Sequence, residues 1–122
     1  MRNHPSTVAM IGALVYEHGS LEPILAENLE EMDGVILPHL ILSDVVRWTV
    51  AHVRDEPTTC RGIWEWLGRA YLSGTEPVRN LIWVSGVEML PDPQDPGGAE
   101  LRGYLSPELR EIDYEYHPSL RP

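Results

Sequence analysis

A chain of 122 residues provides material for one hydrophobic core, and its single cysteine, Cys60, excludes an internal disulfide. Nine arginines and no lysine oppose nineteen carboxylates, and the net charge of −10 argues against nucleic acid and anionic lipid as partners. The apolar stretch at 8–16 is far shorter than the roughly 20 residues that a helix needs to cross a bilayer. We therefore predict one domain over residues 1–122, located in the reducing cytoplasm. Its acidity favours a basic protein partner but would also serve solubility alone.

Cap residues and glycines divide the N-terminal third into two predicted helices. Ser6 or Thr7 caps the first, which ends at Gly19, and Ser20 caps the second, which ends at Gly34. Apolar residues recur at helical spacing in both. The other face of the second helix carries a run of glutamates, so this helix is predicted to be acidic on its outer side.

The next stretch, 35–42, is apolar almost throughout and fits either a short strand or a buried helical turn. We favour the helical turn. Ser43 and Asp44 then offer a cap for a third helix, which the acidic and proline residues at 55–57 end.

The fourth predicted helix has the clearest periodicity in the chain. Thr58 or Thr59 caps it, and Gly74 ends it. Trp64 falls outside its apolar stripe, which makes this side chain either an exposed anchor for a partner or a contact with a neighbouring helix. The stripe repeats at i, i+3, i+4, i+7 and i+8 and consists of Ile63, Trp66, Leu67, Ala70 and Tyr71.

The C-terminal half contains one more long helix and one short helix. Residues 75–90 are apolar on nearly every side, so this fifth helix is predicted to lie at the centre of the fold. A loop rich in proline and glycine follows at 91–98, and Ser106 and Pro107 begin a last helix through Ile112. The predicted fold is all-α, a compact antiparallel array of about five to six helices.

The residue types that carry catalysis or bind metals do not occur in recognisable motifs. His52 and Asp55 can share a helix face, but no second histidine and no cysteine pair accompanies them, so no metal site is predicted. Ser85 lacks the glycine two residues earlier that a nucleophile elbow requires, and Cys60 is predicted to be a buried thiol. We predict no catalytic residue and no cofactor, and we favour a non-enzymatic function.

Charge is concentrated in the two ends of the chain. Six carboxylates against one arginine give residues 1–34 a charge of −5, seven against three give residues 92–122 a charge of −4, and residues 35–91 carry −1. If the two ends meet in the fold, they form one acidic surface with aromatic anchors. The predicted partner-binding residues are Glu22, Glu27, Glu30, Glu31, Asp33, Trp64, Glu111, Asp113, Tyr114, Glu115 and Tyr116.

Two segments, 37–48 and 76–90, resemble small helical proteins of bacteria, some of which look like immunity proteins of toxin systems. The resemblance implies a non-enzymatic module that binds and neutralises a cationic toxin, such as a nuclease. Two alternatives stay open. One is a regulatory or adaptor subunit that binds a cellular protein, and the other is a small helical enzyme or ligand-binding protein with a polar pocket near His39, Asp44 and His52. A homo-oligomer is compatible with each of them.

Overall fold

The computed structural model describes residues 4–122, and every regular element in that range is helical. The described residues contain seven α-helices, which are α1 (Pro5–Glu17), α2 (Glu22–Glu31), α3 (Pro38–His52), α4 (Pro57–Ser73), α5 (Glu76–Ser85), α6 (Gly98–Arg102) and α7 (Pro107–Tyr116). Short 3₁₀ turns lie at Gly19–Leu21, Val87–Met89 and Pro118–Leu120. None of the described helices combines the length and the apolar character needed to cross a membrane. The all-α prediction is confirmed, and the helices outnumber the five to six predicted.

Proline marks the beginning of most of these helices. It occupies the first or second helical position in α1, α2, α3, α4, α5 and α7, where its missing N–H has no acceptor within the helix. The predicted starts of α3 and α4 are therefore wrong. Pro38 begins α3, so residues 38–42 join the helix, residues 35–37 stay outside it, and Ser43 and Asp44 lie inside it. Pro57 begins α4, with Glu56 at the N-cap position instead of either predicted threonine.

Side-chain caps at two helices show where the cap predictions succeed and fail. At α7 the hydroxyl oxygen of Ser106 accepts a hydrogen bond from the backbone N–H of Leu109 at 3.3 Å, as predicted. At α1 the cap is His4 and not Ser6 or Thr7, because the Nδ1 atom of His4 accepts a hydrogen bond from the backbone N–H of Ser6 at 3.1 Å. The predicted helix is present, but it begins earlier than its serine and threonine suggested.

Helix α5 packs inside the array, but it is not enclosed on every side as predicted, since Arg79, Asn80 and Val84 are exposed. It contacts α1, α3 and α4, and α3 in turn contacts α1, α2 and α4. The helix ends at Ser85, whereas the sequence predicted a continuation to residue 90. The chain turns so tightly at Gly86 that a Cβ atom there would overlap the carbonyl oxygen of Ile82. The residues after Gly86 therefore form a 3₁₀ turn.

The buried face of α4 differs from the predicted stripe by a rotation about the helix axis. Its buried residues are Cys60, Ile63, Trp64, Leu67 and Gly68, which repeat at the same helical spacing from an earlier start. Trp66 is only half-buried. Helix α4 packs against α3 and α5, and the thiol of Cys60 lies 3.6 Å from the carbonyl oxygen of Thr49 on α3.

Trp64 belongs to the core, so its prediction as an exposed partner anchor is wrong. The side chain is 0% exposed. Its Nε1–H donates a hydrogen bond to the hydroxyl oxygen of Thr49 at 3.2 Å, and that hydroxyl donates to the carbonyl oxygen of Val46 at 2.7 Å. The indole thus fills space between α3 and α4 while its polar atom stays satisfied.

The predicted loop at 91–98 ends one residue earlier than expected, since Gly98 begins the five-residue helix α6. Arg102 at the end of α6 holds this region together. Its guanidinium donates to the carbonyl oxygens of Pro91 at 2.7 Å and Gly98 at 3.0 Å, and to both carboxylate oxygens of Asp113 at 2.8 and 3.1 Å. One arginine therefore ties the loop, α6 and α7 to one another.

Cys60 is buried, as predicted, and its burial makes the stability of the protein fall as the pH rises into the alkaline range. Burial raises the pKa of the thiol from 9.0 to about 11, and the carboxylates of Glu56 and Asp55 add to the shift. The unfolded chain therefore loses this proton above pH 9, whereas the folded chain keeps it until about pH 11. We expect the free energy of unfolding to fall across this range by on the order of 2 kcal/mol through this thiol.

Urea denaturation at pH 8 to 11 measures this effect. Other groups also titrate in the range, so the wild-type protein is compared with Cys60→Ala, which lacks the thiol. We expect the alanine variant to be less stable at pH 8 but to lose less stability as the pH rises. Equal losses in the two proteins would contradict the prediction.

Candidate functional site

The five predicted carboxylates near the N-terminus lie on the outside of α2 and on the turn that follows it. Helical spacing places Glu22, Glu27, Glu30 and Glu31 on the solvent side, and all four are exposed. Asp33 is also exposed and has a positive φ of 53°, a conformation that aspartate tolerates better than most residues. We call these five residues the acidic face of α2.

Within residues 4–122, no arginine or histidine forms an ion pair with the acidic face of α2. Glu27 is spaced by three and four residues from Glu30 and Glu31, so their like charges repel. Each such pair destabilises a helix by roughly 0.2–0.5 kcal/mol. A cationic molecule bound here would relieve that repulsion, and the acidic face of α2 is therefore suited to a positively charged partner.

Apolar side chains accompany these carboxylates. Asn28 is the only buried residue of α2, and its amide nitrogen donates to a carboxylate oxygen of Asp44 on α3 at 3.2 Å. Leu29 and Met32 stay half-buried, and they are not among the apolar side chains that pack against the core cluster. Val35, whose backbone N–H donates to the carbonyl oxygen of Met32, is 53% exposed. We call Leu29, Met32 and Val35 the apolar edge of α2.

The predicted residues at the C-terminus mostly interact with other parts of the same chain. Glu111 forms an ion pair with Arg121 at 2.8 Å, and that guanidinium lies 4.9 Å from the centre of the Tyr114 ring. The hydroxyl of Tyr116 accepts a hydrogen bond from the Nε1–H of Trp83 at 2.7 Å. These contacts satisfy side chains that the sequence had assigned to a partner.

Asp113 and Glu115 have opposite environments on α7. Asp113 was predicted to contribute to the partner surface, but its side chain is only 6% exposed and it pairs with Arg102. That prediction is wrong, since an aspartate at this position faces the guanidinium of α6 and not the solvent. Glu115 is exposed.

The helices that carry the two acidic ends of the chain pack against different elements. Helix α2 packs against α1, α3 and the turn Gly19–Leu21, whereas α7 packs against α4 and the turns Val87–Met89 and Pro118–Leu120. Helices α3 and α5 connect these two groups through their own contacts. Among the described residues, the acidic face of α2 with its apolar edge is therefore the most suitable candidate for a binding surface.

No protein-family model matches the chain, and no curated protein or solved structure matches it either. The resemblance to immunity proteins therefore stays a hypothesis, and the function has to be argued from the residues themselves.

A second polar arrangement joins α3 to α5. The Nδ1 atom of His39 lies 2.6 Å from the hydroxyl oxygen of Ser85, which is the distance of a nucleophile and its base. Ser85 is nevertheless buried, and within residues 4–122 no carboxylate forms an ion pair with His39 to orient its ring. The pair lacks the third member of a catalytic triad, and its hydrogen bond serves to connect the two helices.

The alternative pocket near His39, Asp44 and His52 is not formed. His39 is the second residue of α3 and His52 is its last. At a rise of 1.5 Å per residue, the two histidines are separated by roughly 20 Å along the helix axis. They cannot converge on one small ligand, so this prediction is wrong.

The residues best arranged to hold a metal ion lie at the carboxyl end of α3. The Nδ1 atom of His52 is 3.1 Å from a carboxylate oxygen of Asp55 and 3.7 Å from one of Glu56. The sequence indicated the first of these two contacts, through the spacing of three residues. It missed the second, because Glu56 was interpreted only as part of the break before α4.

Proposed function

We propose that this chain is a non-enzymatic binding module that recognises a basic protein through the acidic face of α2. The observation that carries the proposal is the group of five exposed carboxylates that no cation pairs with inside residues 4–122. Elsewhere, the acidic side chains of Asp44, Asp113 and Glu111 are already paired with arginines. The acidic face of α2 gathers five unpaired carboxylates on one helix and the turn that follows it, where another molecule can reach them.

The two components of this surface would contribute in different ways. Unpaired carboxylates accelerate the encounter with a basic partner, because the long-range field orients the two molecules before they touch. The apolar edge, formed by Leu29, Met32 and Val35, would lose solvent on binding and so slow the release of the partner. Together they match a partner surface in which arginine or lysine surrounds a small apolar centre.

An immunity protein that neutralises a cationic toxin, such as a nuclease, is the specific function we propose. Such a protein must bind fast and release slowly, and an acidic surface with an apolar edge supports both requirements. The resemblance of 37–48 and 76–90 to helical immunity proteins supports the same role.

The test is a titration with the protein encoded by the adjacent gene, measured in low-salt and high-salt buffer. We expect saturable binding that weakens steeply with salt. The triple variant E27Q/E30Q/E31Q should weaken the affinity by about tenfold or more, since three charges leave the surface.

A matched control removes the same amount of charge from other places. Glu65, Glu76 and Glu88 are exposed and form no ion pair within residues 4–122. The variant E65Q/E76Q/E88Q should therefore keep most of the affinity. The proposal fails if the wild-type protein does not bind at low salt, or if the two triple variants lose affinity equally.

A further inference from the structure

The turn between α3 and α4 brings together three side chains of the kind that bind metal ions. His52 is the last residue of α3, and Glu56 occupies the N-cap position of α4. The backbone N–H of Glu56 donates to the carbonyl oxygen of His52 at 2.7 Å, so the turn is closed by a hydrogen bond. Asp55 lies between them, and all three side chains extend to the same side of the turn.

The distances match those of a small cation site. One ligand atom from each of His52, Asp55 and Glu56 can be chosen so that all three lie within 4.8 Å of one another. The two contacts of the imidazole nitrogen are 3.1 and 3.7 Å. Ligands of a tetrahedral zinc ion, at bonds of about 2.0–2.1 Å, lie roughly 3.3 Å apart. Small side-chain rotations would therefore place a cation among the three.

The surroundings hold the imidazole in place and leave the carboxylates available. The ring of His52 stacks on the indole of Trp48, with centroids 4.3 Å apart and planes at 30°. The two nearest arginines in sequence are engaged elsewhere, Arg47 with Asp44 and Arg54 with Glu100. The carboxyl end of α3 also carries partial negative charge from its last carbonyl groups, which favours a cation.

We propose that His52, Asp55 and Glu56 form a binding site for a divalent transition-metal cation, with Zn²⁺ as the expected ion. One imidazole nitrogen and two carboxylate oxygens suit Zn²⁺, Co²⁺ and Ni²⁺. Ca²⁺ requires six to eight oxygen ligands and Mg²⁺ keeps most of its water, so neither fits three donors of this kind. The site is independent of the acidic face of α2. Its binding free energy would stabilise the fold, since the ligands come from the ends of two packed helices.

The stacking of Trp48 on His52 provides a direct readout of this site. Co²⁺ or Ni²⁺ bound at the imidazole quenches the fluorescence of a tryptophan in contact with that ring. Titration of the untagged protein with Co²⁺ should give saturable quenching that Zn²⁺ reverses and Mg²⁺ does not. The Trp48→Phe variant should lose most of the quenching, while calorimetry should still detect Zn²⁺ binding.

Variants of the ligands separate this site from general attraction of cations to an acidic protein. H52A and the double variant D55N/E56Q should each weaken Zn²⁺ binding at least about tenfold. H117A is the matched control, because His117 also lies near a carboxylate, at 3.7 Å from Asp92, but has no third donor grouped with it. Its affinity for Zn²⁺ should stay that of the wild-type protein.

Thermal denaturation measures whether Zn²⁺ stabilises the fold, and circular dichroism shows whether each variant is folded. Zn²⁺ should raise the melting temperature of the wild-type protein and of H117A, but not that of D55N/E56Q, a variant that preserves the shapes of both side chains. The absence of saturable quenching in the wild-type protein would overturn the proposal. So would an unchanged Zn²⁺ affinity in a folded H52A or D55N/E56Q variant, which would show that the three groups form only an ion-paired turn.

Discussion

Trp64→Ala is expected to lower the free energy of unfolding by about 3–5 kcal/mol, the usual cost of removing a buried tryptophan. The loss is large because the whole indole is buried between α3 and α4 and its N–H is hydrogen-bonded to Thr49. Since small domains are stable by only about 5–15 kcal/mol, the variant should be close to unfolding. Urea denaturation followed by circular dichroism measures the difference.

Trp66→Ala is the control for this prediction. Trp66 lies two residues further along α4 and is only half-buried, so its removal leaves a smaller cavity. We expect it to cost less than half as much as Trp64→Ala. Equal losses in the two variants would contradict this prediction, and a larger loss in Trp66→Ala would indicate that the buried face of α4 is the stripe predicted from the sequence.

Asp113→Asn is expected to cost about 3–5 kcal/mol, because it leaves a buried arginine without its counter-charge. The Arg102 side chain is 11% exposed, and both of its bonds to Asp113 join it to α7. The variant should also loosen the loop before α6, since the same guanidinium holds the carbonyl oxygen of Pro91. Urea denaturation and hydrogen exchange of α6 measure the two effects.

Two further variants identify the cause of that loss. Glu115→Gln removes a charge from the exposed side of α7 and should change stability by less than about 0.5 kcal/mol. The double variant R102M/D113L removes both charges and should be more stable than Asp113→Asn, because no unpaired charge remains buried. A double variant less stable than the single one would mean that the contacts of Arg102 with the loop carbonyls outweigh the ion pair.

Much of the helical architecture could be predicted because prolines, caps and apolar spacing act locally. The cap at Ser106 and the packing of α5 against three other helices follow directly from the residues concerned. The start of α3 at Pro38 was harder to predict, since Ser43 and Asp44 are good cap residues that here lie within a helix. Sequence shows which residues can cap a helix, but the packing of the apolar residues before them decides whether they do.

The candidate surface was predicted only where exposure follows from helix periodicity. The glutamates of α2 recur on the face that the larger apolar residues of the helix leave free, so their exposure could be foreseen. Trp64 could not be assigned, because two stripes on α4 satisfy the same spacing and only packing against the neighbouring helices selects one. Asp113 was misassigned because its partner Arg102 lies on another helix, α6, and spacing along the sequence does not indicate pairs between helices.

The shallow attachment of α2 affects how this region opens to solvent. Asn28 is the single buried residue of the helix, with Ile24 and Leu25 half-buried against the core, while every other described α-helix contributes at least two buried residues. Local unfolding of α2 is therefore expected to cost less free energy than global unfolding, and its amide protons should exchange with deuterium before those of α3 and α5. A molecule that binds this helix must itself offset the free-energy cost of ordering α2. The helix can adjust to the shape of that molecule without opening the core.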